Sequence, residues 1–249
     1  MLLDQKVAVV YGAGGAIGGA AARAFAREGA RVFLAGRTAE TLEAVAGEIR
    51  AAGGAAETAV VDALDEAAVD AFVDGVAAGA GAVDVSFNVI SFGDVQEPLM
   101  ELPVDGVTGP VHTIVRTQFL TTRAAARHMI PRGSGVILTF GGSSDRTMPG
   151  LGALKVAFDA VEGLRRQWAC ELGPHGVRVV TLKTGGIPES IPDDFDAKGA
   201  IAEAIRKDTL LGRAATLADV GNVAAFVASD RARTLTSTEV NISCGAIPE

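Results

Sequence analysis

Short β-branched runs alternate with longer alanine-rich stretches along this chain, and the spacing of apolar positions changes with them. The pattern predicts strands at 7–11, 31–35, 57–61, 83–88, 135–140, 177–182 and 240–242. Between them it predicts helices at 17–28, 39–52 and 65–78, and a long helix ending near Leu172. The strands are almost continuously apolar, which requires burial on both faces. A doubly wound parallel sheet with crossover helices provides that burial. Residues 187–211 break the rhythm with Pro188, Pro192 and the acids Asp193, Asp194 and Asp196, a composition that predicts a lid over a site. No linker or repeat divides the chain, so one domain over 1–249 is expected.

Gly12, Gly14, Gly15 and Gly18 crowd the turn between the first strand and first helix, with Ile17 among them. Glycines at such a turn let the backbone approach a pyrophosphate, and the helix N-terminus offers free N–H groups to it. An NAD site usually carries an acid at the end of the second strand, for the adenosine ribose. Here the residues are Ala35, Gly36 and Arg37. A guanidinium fork suits a 2′-phosphate, which points to NADP(H). The alternative for Arg37 is a surface pair with Glu40.

Composition narrows the function classes. A formal net charge of −8 with scattered basic residues argues against nucleic-acid binding. Apolar residues at 49% and charged ones at 21% describe a globular chain without a membrane-length apolar run, expected in the cytoplasm. Two distant cysteines, Cys170 and Cys244, imply neither a disulfide framework nor a zinc site.

Several separated segments together resemble the short-chain dehydrogenase/reductase family. The turn from Tyr11 to Gly18 is similar to that family's Thr-Gly-x-x-x-Gly-x-Gly. Val61-Asp62 resembles its acid after the third strand, and Asn88 the first residue of its Asn-Asn-Ala-Gly. Glu162-Gly163-Leu164, the stretch from Glu171 to Val179, Leu211-Gly212-Arg213 and the stretch from Phe226 to Asp230 match its later landmarks. The resemblance implies a Rossmann-type fold: a doubly wound, seven-stranded parallel sheet of order 3-2-1-4-5-6-7 with helices on both faces. It also implies adenine contacts from Asp62 and Ala63, cofactor contacts from Asn88 and Ile187, and a homo-oligomer, dimer or tetramer, built through the long helices.

The chain departs from that family where its chemistry resides. Anchored on Glu162-Gly163-Leu164, the family's tyrosine falls on Leu154 and its lysine on Phe158. Sliding the register to place Lys155 in the lysine slot puts Leu151 at the tyrosine. Tyr11 is the single tyrosine in the chain, so no register supplies one on the long helix. The family's serine falls on Gly141 or Gly142, its helix asparagine near Ile114, and Ala16 replaces the middle glycine of the turn.

Replacement chemistry would come from loops at the C-terminal ends of the strands. Ser143 and Asp145 after the fifth strand, Lys183 after the sixth and Lys155 on the long helix are the candidates. Leu151, Leu154, Phe158, Phe92 and Ile187 would make an apolar wall, which suits a small hydrophobic substrate. Three functions follow: an NADP(H)-dependent oxidoreductase acting on a hydrophobic carbonyl, imine or activated alkene; a cyclase, isomerase or lyase reusing the pocket; and a binding or scaffold subunit.

Overall fold

The computed structural model describes residues 1–141, 147 and 149–247. Seven parallel strands form one sheet in the order β3-β2-β1-β4-β5-β6-β7, as the resemblance implied. They are β1 (Val7–Tyr11), β2 (Arg31–Gly36), β3 (Ala55–Val60), β4 (Val85–Asn88), β5 (Gly135–Gly141), β6 (Val177–Lys183) and β7 (Thr238–Asn241). The main helices are α1 (Ala16–Arg27), α2 (Ala39–Ala51), α3 (Glu66–Ala80), α4 (Val104–Met129), α5 (Leu154–Leu172), α6 (Lys198–Lys207) and α7 (Leu217–Ala228).

Alternation along each strand divides the core in two. Ala8, Val10, Leu34, Phe87, Leu138 and Leu182 point toward α1, α2 and α7. Val7, Val9, Tyr11, Phe33, Ile137 and Val179 point the other way, toward α3, α4 and α5. Both faces are therefore dry, which is why the strands carry apolar runs rather than alternation with polar residues.

Strand ends differ from the pattern reading for a physical reason. The third strand begins at Ala55, ahead of the expected 57, because Arg31–Gly36 pairs with Ala55–Val60 residue for residue. Ladder hydrogen bonds recruit two alanines of weak strand propensity. The last strand runs over Thr238–Asn241, earlier than expected, set by pairing with Val180–Lys183. The fourth is shorter than 83–88: Asp84 accepts a hydrogen bond from the Val7 N–H at 2.8 Å and closes the strand's start. Arg132 pairs with the same carboxylate at 3.0 Å.

Within 187–211 the chain makes a short turn of 3-10 helix at Pro188–Ser190 and then α6, with Leu210 and Leu211 exposed behind it. No helix among the described residues is long and apolar enough to cross a membrane. No cluster of metal-ligating side chains occurs among them either.

Candidate functional site

A cleft of about 260 Å³ opens at the C-terminal ends of β1, β2 and β3. Gly12, Gly14, Gly15, Arg37, Asp62 and Ala63 line it, together with Thr38, Thr41 and Val89. Six of the expected cofactor positions therefore meet in one place. The turn is built only for glycine. Gly12 has φ +74, and a Cβ there would stand 2.7 Å from the Val89 carbonyl oxygen. A Cβ on Gly14 would collide with the Thr41 hydroxyl, and one on Gly18 with the Gly12 carbonyl.

Gly15 caps α1 without a side-chain hydrogen bond, and the first turn carries no acid. The first helical N–H groups, those of Ala16, Ile17 and Gly18, have no partners within the helix and lie at its positive end. An anion is the natural partner of that arrangement. Ile17 and Gly18 lie in this first turn, outside the cleft's lining. The residues present fit the phosphate and adenosine portion of a dinucleotide. Arg37 is exposed at the cleft's rim and makes no ion pair among the described residues; it does not bond Glu40. Asp62 accepts a hydrogen bond from the Leu64 N–H at 3.0 Å, which fixes the loop after β3.

Asn88 and Ile187 do not line this cleft. Asn88 is buried: its amide donates to Thr121 at 3.0 Å and accepts from the Ile90 N–H at 3.0 Å, so it organises the loop after β4. Ile187 packs into the core beneath α1 and α7. Ile187 and Phe158 belong to different packed clusters, because the chain leaving β6 turns toward the α1 side of the sheet.

At the other end of the crevice the reaction positions are apolar. Ile114, Ala157 and Val161 form a small cluster with Phe92 and Phe158 packed on it. Phe92 and Phe158 meet edge to face with centroids 5.7 Å apart. A Cβ on Gly141 would lie 3.6 Å from the Phe158 ring, so Phe158 faces the end of β5. Leu154 stands one turn earlier on α5, half-buried. Tyr11 is the last residue of β1, with its ring against Phe72 and its hydroxyl buried and without a partner among the described residues. Burial, reinforced by Asp70, pushes that phenol far above its usual range, so it is no proton donor at neutral pH.

Of the catalytic candidates, Ser143 and Asp145 lie outside the described residues. Lys155 turns along its own helix and pairs with both oxygens of Asp159 at 2.6 Å. Lys183 is buried at the end of β6, with Nζ 2.6 Å from Glu239 Oε2. Pattern reading passed over Glu239 and saw Glu162 only as a landmark. A glutamate in the short final strand and another on an amphipathic helix look solvated until the register sets them face to face.

A glycine turn at the carboxyl ends of a doubly wound parallel sheet defines a Rossmann-type α/β protein. A family model described as enoyl-(acyl carrier protein) reductase matches residues 12–246. The chain is 32% identical to gluconate 5-dehydrogenase of Gluconobacter oxydans, over 98% of this chain and 95% of that protein. It is 30% identical to D-threitol dehydrogenase of Mycolicibacterium smegmatis, covering 98% and 93%. A short-chain type dehydrogenase/reductase from Mycobacterium ulcerans superposes with a TM-score of 0.91 at 26% identity, covering 99% of this chain and 91% of that one. NAD+-bound xylitol dehydrogenase superposes at 0.89 with 25% identity, covering 98% and 100%. This chain belongs to the short-chain dehydrogenase/reductase family, whose characterised members named here are oxidoreductases.

Proposed function

We propose that this protein is a divergent oxidoreductase of its family that binds NADP(H), reduces a hydrophobic carbonyl, imine or activated alkene, and works without the usual helix tyrosine and lysine. One contrast carries the reading: the cleft keeps its glycine turn and an arginine with no ion pair among the described residues, while Ile114, Leu154 and Phe158 fill the reaction positions. Arg37 supports NADP(H) over NAD(H), because no acid stands at the end of β2 to receive a ribose hydroxyl. When bound, the reduced nicotinamide supplies a hydride. The chain's own residues orient the substrate, exclude water and furnish the proton.

An apolar wall of Phe92, Ile114 and Phe158 favours a substrate held by shape with few polar contacts. Gluconate 5-dehydrogenase and D-threitol dehydrogenase are named for polar substrates, so the wall sets this chain apart from them. On the outer side of α4 and α5, half-exposed Phe119 lies over Trp168 with centroids 5.5 Å apart, which supports a homo-oligomer through these helices.

Calorimetric titration with NADPH and NADH tests the reading, followed by assays for consumption of the reduced cofactor with hydrophobic carbonyls and imines. Preferential NADPH binding with stoichiometric consumption supports it. Product formation without cofactor oxidation would favour a non-redox enzyme, the reading that the filled reaction positions also motivate. Failure to bind either nucleotide would sink it.

A further inference from the structure

Set against the family pattern, the reaction end of the crevice has lost a cation and gained a pair of rings. Leu154 stands where the resemblance sets the tyrosine, and Phe158 where it sets the lysine. Both lie in the first turns of α5, and Phe158 faces the end of β5 at Gly141. Phe92, on the loop after β4, meets Phe158 edge to face with centroids 5.7 Å apart. Each ring is half-buried, so part of its surface stays open. The wall continues the cofactor cleft directly. Ser91 and Thr113 line the cleft, and their chain neighbours Phe92 and Ile114 belong to the wall.

The segments that flank this wall are acidic. From β4 into α4 the chain carries Asp94, Glu97, Glu101 and Asp105, with no lysine or arginine between Asn88 and Arg116. A Cβ on Gly152 would collide with the Val95 carbonyl oxygen, which seats this segment against the start of α5. Leaving β6, the chain carries Glu189, Asp193, Asp194 and Asp196, with no lysine or arginine between Lys183 and Lys198. β4 and β6 lie on either side of β5, so the two segments leave the sheet on either side of Gly141. The lysines nearby are matched by carboxylates: Lys155 meets Asp159 at 2.6 Å, Lys183 meets Glu239 at 2.6 Å and Lys198 meets Asp193 at 2.7 Å.

A carbonyl that accepts a hydride becomes an alkoxide and draws a proton from a positioned acid, worth roughly 10²–10⁴-fold in rate. An activated alkene likewise becomes a carbanion that needs one. An iminium ion has no such need, because its carbon–nitrogen double bond already carries the positive charge. We propose that the substrate is a hydrophobic iminium cation, its charge held against the Phe92 and Phe158 rings, so that reduction proceeds without a proton donor. The proposal rests on the oxidoreductase reading and narrows its substrate classes to one.

The step balances without a proton. The iminium carbon receives a hydride with its two electrons, and the π pair of the carbon–nitrogen bond becomes the nitrogen lone pair. The product is a neutral amine, and the positive charge passes to the oxidised dinucleotide. An aromatic face attracts a cation through its quadrupole. A ring in the lysine position also removes a charge that would repel one. The acids are not ligands here. They set a negative potential around the crevice, which raises the local concentration of cations.

The test follows NADPH consumption with N-methyldihydroisoquinolinium, an iminium ion without an N–H, and with tetralone, an uncharged ketone of similar shape. We expect kcat/KM for the iminium ion to be higher by about 100-fold, the worth of a missing general acid. Its single-turnover rate should be equal in light and heavy water, and slower with deuterium at the transferred position of NADPH. Raising salt should lower its kcat/KM about threefold or more and leave tetralone unaffected. Phe158→Leu should raise KM for the iminium ion about threefold to tenfold, with NADPH affinity held within about twofold. Phe92→Leu should act alike, and serves if the first variant fails to fold. Equal rates with tetralone, or slower single turnover of the iminium ion in heavy water, would overturn the proposal and leave the oxidoreductase reading standing. NADPH that binds but is consumed with neither this iminium ion nor its N-benzyl homologue also overturns it. Binding of neither nucleotide overturns both.

Discussion

The two ends of the crevice are built by opposite rules. At β1 to β3, close backbone approach and open N–H groups remain as an anion requires, and side chains stay out of the way. At β4 to β6, side chains fill the space, and the filling is apolar above and ionised below. Nucleotide recognition by backbone tolerates sequence drift so long as glycine keeps its φ and its clearance. Acid–base chemistry rests on single side chains and is rewritten by a few substitutions. A fold can therefore keep the backbone of a ligand cleft while the side chains at its other end change.

That contrast can be broken hardest at Gly18. In Gly18→Val the added atoms have nowhere to go but the Gly12 carbonyl, so the turn must shift. A cost of about 3 kcal/mol in denaturant unfolding and loss of nucleotide binding are expected. Unchanged binding would show that the turn is not the anion site. Arg37→Ala should weaken NADPH by about 10- to 100-fold, the worth of hydrogen bonds to a charged phosphate, and leave NADH nearly unaffected. An equal loss for both would place Arg37 away from the 2′-phosphate.

At the other end, Phe158→Ala removes a half-buried ring from the Phe92 contact. It should lower stability by about 2 kcal/mol, less than a fully buried phenylalanine would cost, with little change in NADPH affinity. A large drop in affinity instead would mean that the two ends are coupled through the wall. A pH series of melting temperatures sharpens the lower layer. Glu239 has a raised value, so the folded protein holds a proton that the unfolded chain releases above about pH 4.3. Stability from this group is present at low pH and lost as pH rises toward the folded value. Glu162, held below its usual range, acts in the opposite sense: its contribution is present above the unfolded value and lost as pH falls. Glu239→Gln should remove the part of the stability loss that sets in as pH rises above about 4.3. The smallest effect is expected from Ala16→Gly, which removes a methyl group from the open end of α1 and should tighten NADPH by a factor of about two to five.

Much of the nucleotide end was legible in the chain. Gly12, Gly14, Gly15 and Arg37 are local: each acts through its own backbone or through a side chain at a strand end, and a strand–turn–helix pattern places all four. Loss of the helix tyrosine was legible from a count, because Tyr11 is the single tyrosine and belongs to the first strand. The strand boundaries at Ala55 and Thr238 were not, since those residues are recruited by a neighbour's ladder rather than by their own preference. The side of the sheet that Ile187 reaches was not legible either, because the turn after β6 decides it.

The sequence alone determined the class of fold, the glycine-built turn and the absence of a helix tyrosine, since these follow from period, glycine spacing and composition. Tertiary structure alone decided that Glu162, Lys183 and Glu239 meet. They lie apart along the chain, and nothing in their spacing shows that they meet. Only the in-register pairing of β5, β6 and β7, with α5 laid across it, removes the water between them and leaves Glu162 against Arg165 and Lys183 against Glu239.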